Sequence, residues 1–201
     1  MMKLFRTRYR LPKDSEQSLR RARLLVHLLE ARNLPSTYYV ATTGSDTAAG
    51  TTAAPWLTLQ HAVGVVHAGD TVIARAGTYA GFIAGWDSTG TYGVIAGTAS
   101  APVTFEADPA AAAGSVIINA ANNKTTNGID LEPGCDYVTL SGFNIQGGGA
   151  GGIGTYPNKG DGIKMTGNGD AVINCTVANV GYGFGIFAGN AKNFLIHGNT
   201  V

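Results

Sequence analysis

Three segments of the chain lie over one another without a gap: Tyr137-Val-Thr-Leu-Ser-Gly-Phe-Asn-Ile145, Gly169-Asp-Ala-Val-Ile-Asn-Cys-Thr-Val177 and Asn193-Phe-Leu-Ile-His-Gly-Asn-Thr-Val201. The fourth residue of each is apolar (Leu140, Val172, Ile196), and so is the ninth (Ile145, Val177, Val201). A second series precedes them and shares a Gly-Ile pair: Asn127-Gly-Ile-Asp-Leu131, Asp161-Gly-Ile-Lys-Met165 and Phe184-Gly-Ile-Phe-Ala188. The steps are 32 and 24 residues in the first series and 34 and 23 in the second. Both series therefore give a period near 23, with an insertion of about ten residues in the first interval, between Gln146 and Gly160. Short strands at that period fit one coil of a parallel β-helix, in which each coil buries its inward side chains only by stacking on the next. The inward ladders are then Ile129/Ile163/Ile186 and Leu140/Val172/Ile196. Gly and Asn at the corners supply the sharp bends and positive φ angles that such coils need.

Composition agrees with an all-β solenoid. The chain has 29 Gly in 201 residues, and 13% of residues are charged; helices tolerate that much glycine poorly. Earlier strands are read at Tyr38–Ala41, Thr71–Ala74, Val103–Phe105 and Val116–Ile118, with Ala76–Tyr79 taken as a turn. One helix interrupts them. Thr58 is a good N-cap, and Leu59, Ala62, Val63 and Val66 form an apolar stripe, so a helix is expected over 58–67, ended by Gly69-Asp70. Laid over the first coil, it would close the open apolar end of the solenoid. At the other end the chain stops on a strand motif, which reads as a truncated solenoid or one covered by a partner.

The charge is unevenly placed. Residues 1–35 hold nine Lys/Arg and three Asp/Glu, and the remainder has a net charge of −5. Residues 14–32 read as a separate basic amphipathic helix, capped by Asp14 with Gln17 completing a capping box. The organisation expected is a basic extension or linker over 1–36 and a β-helix over 37–201, with a capping region at 37–82 and coils from about 100 onward. The acidic body argues against nucleic-acid binding. No apolar run approaches the length of a membrane span, and no signal-peptide core is visible. Cys135 and Cys175 lack metal-ligand spacing, and Cys175 reads as a small core residue. The four His form no catalytic or metal pattern.

The order Tyr38-Tyr-Val-Ala-Thr-Thr-Gly-Ser-Asp-Thr-Ala-Ala-Gly-Thr51, then Pro55-Trp-Leu-Thr-Leu-Gln-His-Ala62, then Gly69-Asp-Thr-Val-Ile-Ala-Arg-Ala-Gly-Thr-Tyr79 resembles a known module. It is similar to the N-terminal module of exported bacterial right-handed β-helix proteins, which precedes domains resembling family 9 pectate lyases and related polysaccharide lyases. Residues 1–36 lie outside the resemblance. It implies a right-handed, pectate-lyase-like β-helix in an extracellular or cell-surface protein whose partner is a polysaccharide, in particular one containing uronate. Lyases of this architecture use a Lys or Arg base and commonly a calcium ion held by carboxylates. Asp161-Gly-Ile-Lys164 only loosely echoes the family motif around the catalytic lysine.

In this chain the matching cluster is Asp130, Glu132 and Asp161 as calcium ligands with Lys164 as base. The repeat register stacks Asp130 directly beside Lys164 on the outer face of adjacent coils, which are ~4.8 Å apart. The alternative for that pair is a cross-strand ion pair without catalytic role. The insertion supplies Tyr156 and Lys159, which with Tyr182 and Phe187 could meet sugar rings as substrate-binding residues. Two functions stay open. One is a polysaccharide lyase or a piece of one, inactive alone; the other is a non-catalytic β-helix for adhesion, carbohydrate binding or a phage-type fibre.

Overall fold

The structure is a computed structural model that describes residues 34–87, 90–122, 124–147, 153–154 and 159–201. The basic helix expected over 14–32 lies outside the described residues, as does Tyr156. Residues 35–201 form one compact unit.

Its strands sort into three parallel sheets. The first holds β1 (Thr37–Val40), β2 (Thr71–Ala74), β7 (Val103–Ala107), β10 (Val138–Ser141), β13 (Ala171–Ile173) and β16 (Leu195–His197), in that order. The second holds β3 (Gly77–Ala80), β8 (Val116–Ala120), β11 (Asn144–Gln146) and β14 (Thr176–Ala178). The third holds β4 (Phe82–Ala84), β9 (Ile129–Leu131), β12 (Ile163–Met165) and β15 (Ile186–Ala188). A short antiparallel pair, β5 (Trp86–Asp87) and β6 (Gly90–Thr91), follows β4. The chain visits the sheets in rotation, and every pairing within the three sheets is parallel, which is the pattern of a β-helix.

The register is the one that the repeat predicts. Ile129 pairs with Ile163 and Ile163 with Ile186; Leu140 pairs with Val172 and Val172 with Ile196. These inward columns are fully buried as far as Val172, and Phe82 and Phe105 stack inside at 4.8 Å. Burying each such side chain contributes about 1.5–3 kcal/mol. Ile196, in the last strand, is 42% exposed at the open end of the column.

The corners also repeat. The first residue of each motif, Tyr137, Gly169 or Asn193, has a left-handed backbone with φ of 53°, 77° and 52°. The sixth, Gly142, Asn174 or Gly198, does so again at 74°, 53° and 66°. Two-residue corners then turn Phe143 and Cys175 into the core. Both cysteines are free and buried, and burial pushes the Cys135 thiol up to about 12, so neither is a ready nucleophile.

The cap departs from expectation in length. Helix α1 spans Leu59–Val63, with Thr58 as N-cap accepting from the His61 N–H at 3.0 Å. It ends at Gly64, well before Gly69-Asp70, because glycine is a poor helix former and the apolar stripe is already buried at Leu59, Ala62 and Val63. Its Gln60 amide donates to the Ile83 carbonyl and accepts from the Ile83 N–H, both at 2.9 Å. One side chain thus satisfies the open edge of β4 as a neighbouring strand would. The turn expected at Ala76–Tyr79 is instead strand β3. Tyr79 is buried, and its hydroxyl donates to the Arg75 carbonyl at 2.8 Å, so the core claims the segment as a strand.

Candidate functional site

On a strand, inward residues alternate with outward ones. Between the inward columns of the third sheet runs an outward one: Ile83, Asp130, Lys164 and Phe187, in register across β4, β9, β12 and β15. Asp130 and Lys164 are therefore neighbours on adjacent coils, as the repeat register predicts.

Asp130 is fully buried although it points outward. Thr125 and Asn127 lie against it. The Thr125 hydroxyl and the Asn127 amide donate to its Oδ2 at 3.0 and 2.7 Å. Its Oδ1 makes no hydrogen bond and faces the Lys164 ammonium at 3.7 Å. Lys164 also donates to Glu132, whose side chain is 8% exposed. Lys164 itself keeps 24% of its side chain in solvent.

Burial pushes the Glu132 carboxyl up; the hydrogen bond from Lys164 opposes this, and the negative charge of Asp130 adds to it, leaving the pKa above the ordinary value. Burial works against the Lys164 ammonium, but the hydrogen bond to Glu132 and the charges of Asp130, Glu132 and Asp161 outweigh it, so its pKa is raised. The two directions have different causes: burial raises Glu132 against the pull of the ammonium, and the surrounding carboxylates raise Lys164 against burial. A general base must be unprotonated, and this environment holds Lys164 protonated.

The carboxylates do not come together as ligands. Asp161 Oδ1 accepts from the Phe184 N–H at 2.8 Å, and the Asp161 N–H donates to Asn127 Oδ1 at 2.8 Å. Asp161 and Asn127 form rungs of a ladder that ties successive coils at the residue before each Gly-Ile pair. Among the described residues, no group of three His, Cys, Asp or Glu side chains is placed to hold a metal ion. A calcium ion does not fit Asp130, Glu132 and Asp161 as they stand, because the Lys164 ammonium already sits against the first two and Asp161 is turned to the backbone.

Lys159 is exposed, and its carbonyl accepts from the Thr126 hydroxyl. Tyr182 is exposed, and its carbonyl accepts from the Gly160 N–H at 2.9 Å. Phe184 is 61% exposed and stacks on Phe187 with ring centroids 5.3 Å apart. Of the described residues of the insertion, Ile153 is fully buried, and a Cβ on Gly128 would lie 2.7 Å from its Cδ1. Sequence reasoning missed Thr125, Asn127 and Phe184. The shared position of Asn127, Asp161 and Phe184 before the Gly-Ile pair was the available signal.

The rotation of parallel strands through three sheets is the geometry of a β-helix. The chain belongs to the Pel9A-like right handed beta helix family. The family model matches residues 38–200. None of the curated protein sequences matches the chain. Among solved structures it is similar to a rhamnogalacturonan lyase, at 18% identity and a TM-score of 0.55, over 82% of this chain and 51% of that one. It is also similar to the GH136 lacto-N-biosidase of Eubacterium ramulus, at 15% identity and a TM-score of 0.57, over 92% and 36%. A third is pectate lyase Pel9A, at 16% identity and a TM-score of 0.54, over 85% and 48%. These likenesses are of fold. The chain spans between about a third and about half of the length of those proteins. No helix among the described residues is long and apolar enough to cross a membrane.

Proposed function

We propose that this chain is a polysaccharide-binding part of an exported carbohydrate-processing protein, with the glycan lying along the outer face of the third sheet. The observation that carries the reading is the outer column. There a half-exposed Phe187, stacked on Phe184, adjoins Lys164 in register, offering an aromatic surface beside hydrogen-bonding charge. Sugar rings present C–H faces to aromatic side chains and hydroxyls to charged ones. Family membership supports the reading, as does the fold shared with two lyases and a lacto-N-biosidase.

Binding is favoured over proton abstraction for this chain by the shared ammonium of Lys164, which is protonated and already paired. The test is a pair of measurements on the whole chain. Calorimetric titration with a panel of plant and bacterial polysaccharides should give saturable binding to at least one. Ultraviolet absorbance of an unsaturated uronide product, followed on pectate with and without calcium, should stay flat. Absence of binding to every glycan rules the reading out, and a rising absorbance replaces binding by lyase chemistry.

A further inference from the structure

We infer that the sugar this face takes at the Lys164 subsite carries no carboxylate, so that a neutral glycan is preferred to a uronate. The inference rests on the polysaccharide reading above and narrows it. It departs from the uronate that the sequence resemblance implies.

The argument is one of charge and desolvation. A uronate-reading site needs a cation with an unspent charge, usually an arginine or lysine free to meet the sugar carboxylate. Here the lysine on the outer column is spent. Its ammonium donates to Glu132 and lies 3.7 Å from Asp130 Oδ1. Asp130 is fully buried, and among the described residues that oxygen has no hydrogen bond, so the ammonium is the charge that compensates it. Pulling Lys164 toward a sugar carboxylate would strip a buried charge of its partner, which is strongly unfavourable.

The neighbourhood does not make up the deficit. Asp130, Glu132 and Asp161 stand against Lys164 and Lys159, an excess of one negative charge, and the chain beyond residue 35 has a net charge of −5. A second carboxylate brought by a sugar would meet like charge in a partly buried setting. Hydroxyl groups meet no such penalty, since the Lys164 ammonium has three donors and Glu132 is an acceptor. The Phe184/Phe187 pair stacks equally well on uncharged rings.

Calorimetry of the full chain with galactan and xylan hexasaccharides and with hexagalacturonate, each in chelator and then in calcium, tests this. A neutral hexasaccharide should bind at least about tenfold more tightly than hexagalacturonate under both conditions, the size expected of one like-charge contact at a partly buried site. Glu132→Gln keeps the shape and an acceptor while removing a charge, and should narrow that ratio by at least about threefold. Phe187→Ala should weaken the neutral sugar while Phe187→Tyr restores it, with thermal melts confirming that each variant folds. Equal or tighter binding of hexagalacturonate, with or without calcium, overturns the inference and leaves the polysaccharide reading standing. Failure of every oligosaccharide to bind overturns both.

Discussion

The two faces of the third sheet obey different rules. Inside, Phe82, Ile129, Ile163 and Ile186 keep one chemistry from coil to coil. Outside, one residue along, Ile83, Asp130, Lys164 and Phe187 change chemistry at every step. The inner column is held uniform by packing, because an apolar residue there must fill the shared interior against the coils above and below and against the facing sheets. The outer column is free of that constraint, and what stands there reflects either a cover, as over Asp130, or a use. The lesson is that a repeat specifies the scaffold, and its departures mark where function can sit.

The contrast breaks first under truncation. Ile163→Ala leaves a cavity between the buried Ile129 and the half-buried Ile186 and should cost about 4 kcal/mol, while Phe187→Ala on the outer column should cost about 1 kcal/mol. Urea unfolding of the two variants, read by circular dichroism, checks this. Similar losses would mean that the outer face is packed as tightly as the core.

A charge placed among the inward residues sharpens the same contrast. Asp170 lies one step before β13, over Val138, whose N–H it accepts at 2.9 Å, and its Oδ2 makes no hydrogen bond. Burial, with the negative charge of Asp136 adding to it and the Val138 N–H opposing it, raises its pKa from 3.8 to about 7. Between those values the folded chain binds a proton that the unfolded chain has released, so stability falls as pH rises from about 4 to about 7 and levels off above. Asp170→Asn keeps the acceptor for Val138 and should remove that slope, gaining about 4 kcal/mol at pH 8 and nothing at pH 4. Melting temperatures across that range decide it; an unchanged slope would assign the pH dependence elsewhere.

Asp170 also shows where the sequence could and could not be read. The apolar ladders, their register and the adjacency of Asp130 and Lys164 were legible, because a solenoid turns linear period into spatial neighbourhood. The Thr58 cap of α1 was legible for the same local reason that caps always are. Phe82–Ala84 escaped, since a three-residue strand carries no period of its own. The early end of α1 was legible in Gly64 but was overridden by an apolar stripe that runs on to Val66, whereas the contact of Gln60 with Ile83, 23 residues away, is one that no local pattern announces. The role of Asp161 was missed for a related reason: a carboxylate beside a lysine reads as chemistry until its backbone partner is seen. Nor does the sequence reveal that Asp130 is covered, which depends on how Thr125 and Asn127 fold back.

A smaller effect than that of Asp170→Asn is expected in the outer column itself. Lys164→Met keeps the length of the side chain and removes the ammonium shared by Asp130 and Glu132. Two carboxylates then stand together, one with a buried oxygen that no group compensates. Because Lys164 is partly exposed and solvent screens the pair, the loss should be about 1–2 kcal/mol at pH 8, below the full cost of breaking a buried ion pair. Its pH dependence identifies the cause. The Glu132 carboxyl already titrates above its ordinary value with Lys164 present, and removing the hydrogen bond that lowers it pushes it higher. The folded variant therefore holds the Glu132 proton over a wider range than the unfolded chain, and its deficit relative to the parent should grow as pH rises and shrink toward acid, where Glu132 is neutral. On the parent side, the raised pKa of Lys164 makes its contribution fully present below the ordinary lysine value of 10.5, so the parent does not distort the comparison between pH 4 and 8. Urea midpoints of parent and variant at those two pH values separate the outcomes. A deficit that is equal at both would mean that Lys164 supports the fold through the packing of its methylene stem alone, and the outer column would then be scaffold like the inner one.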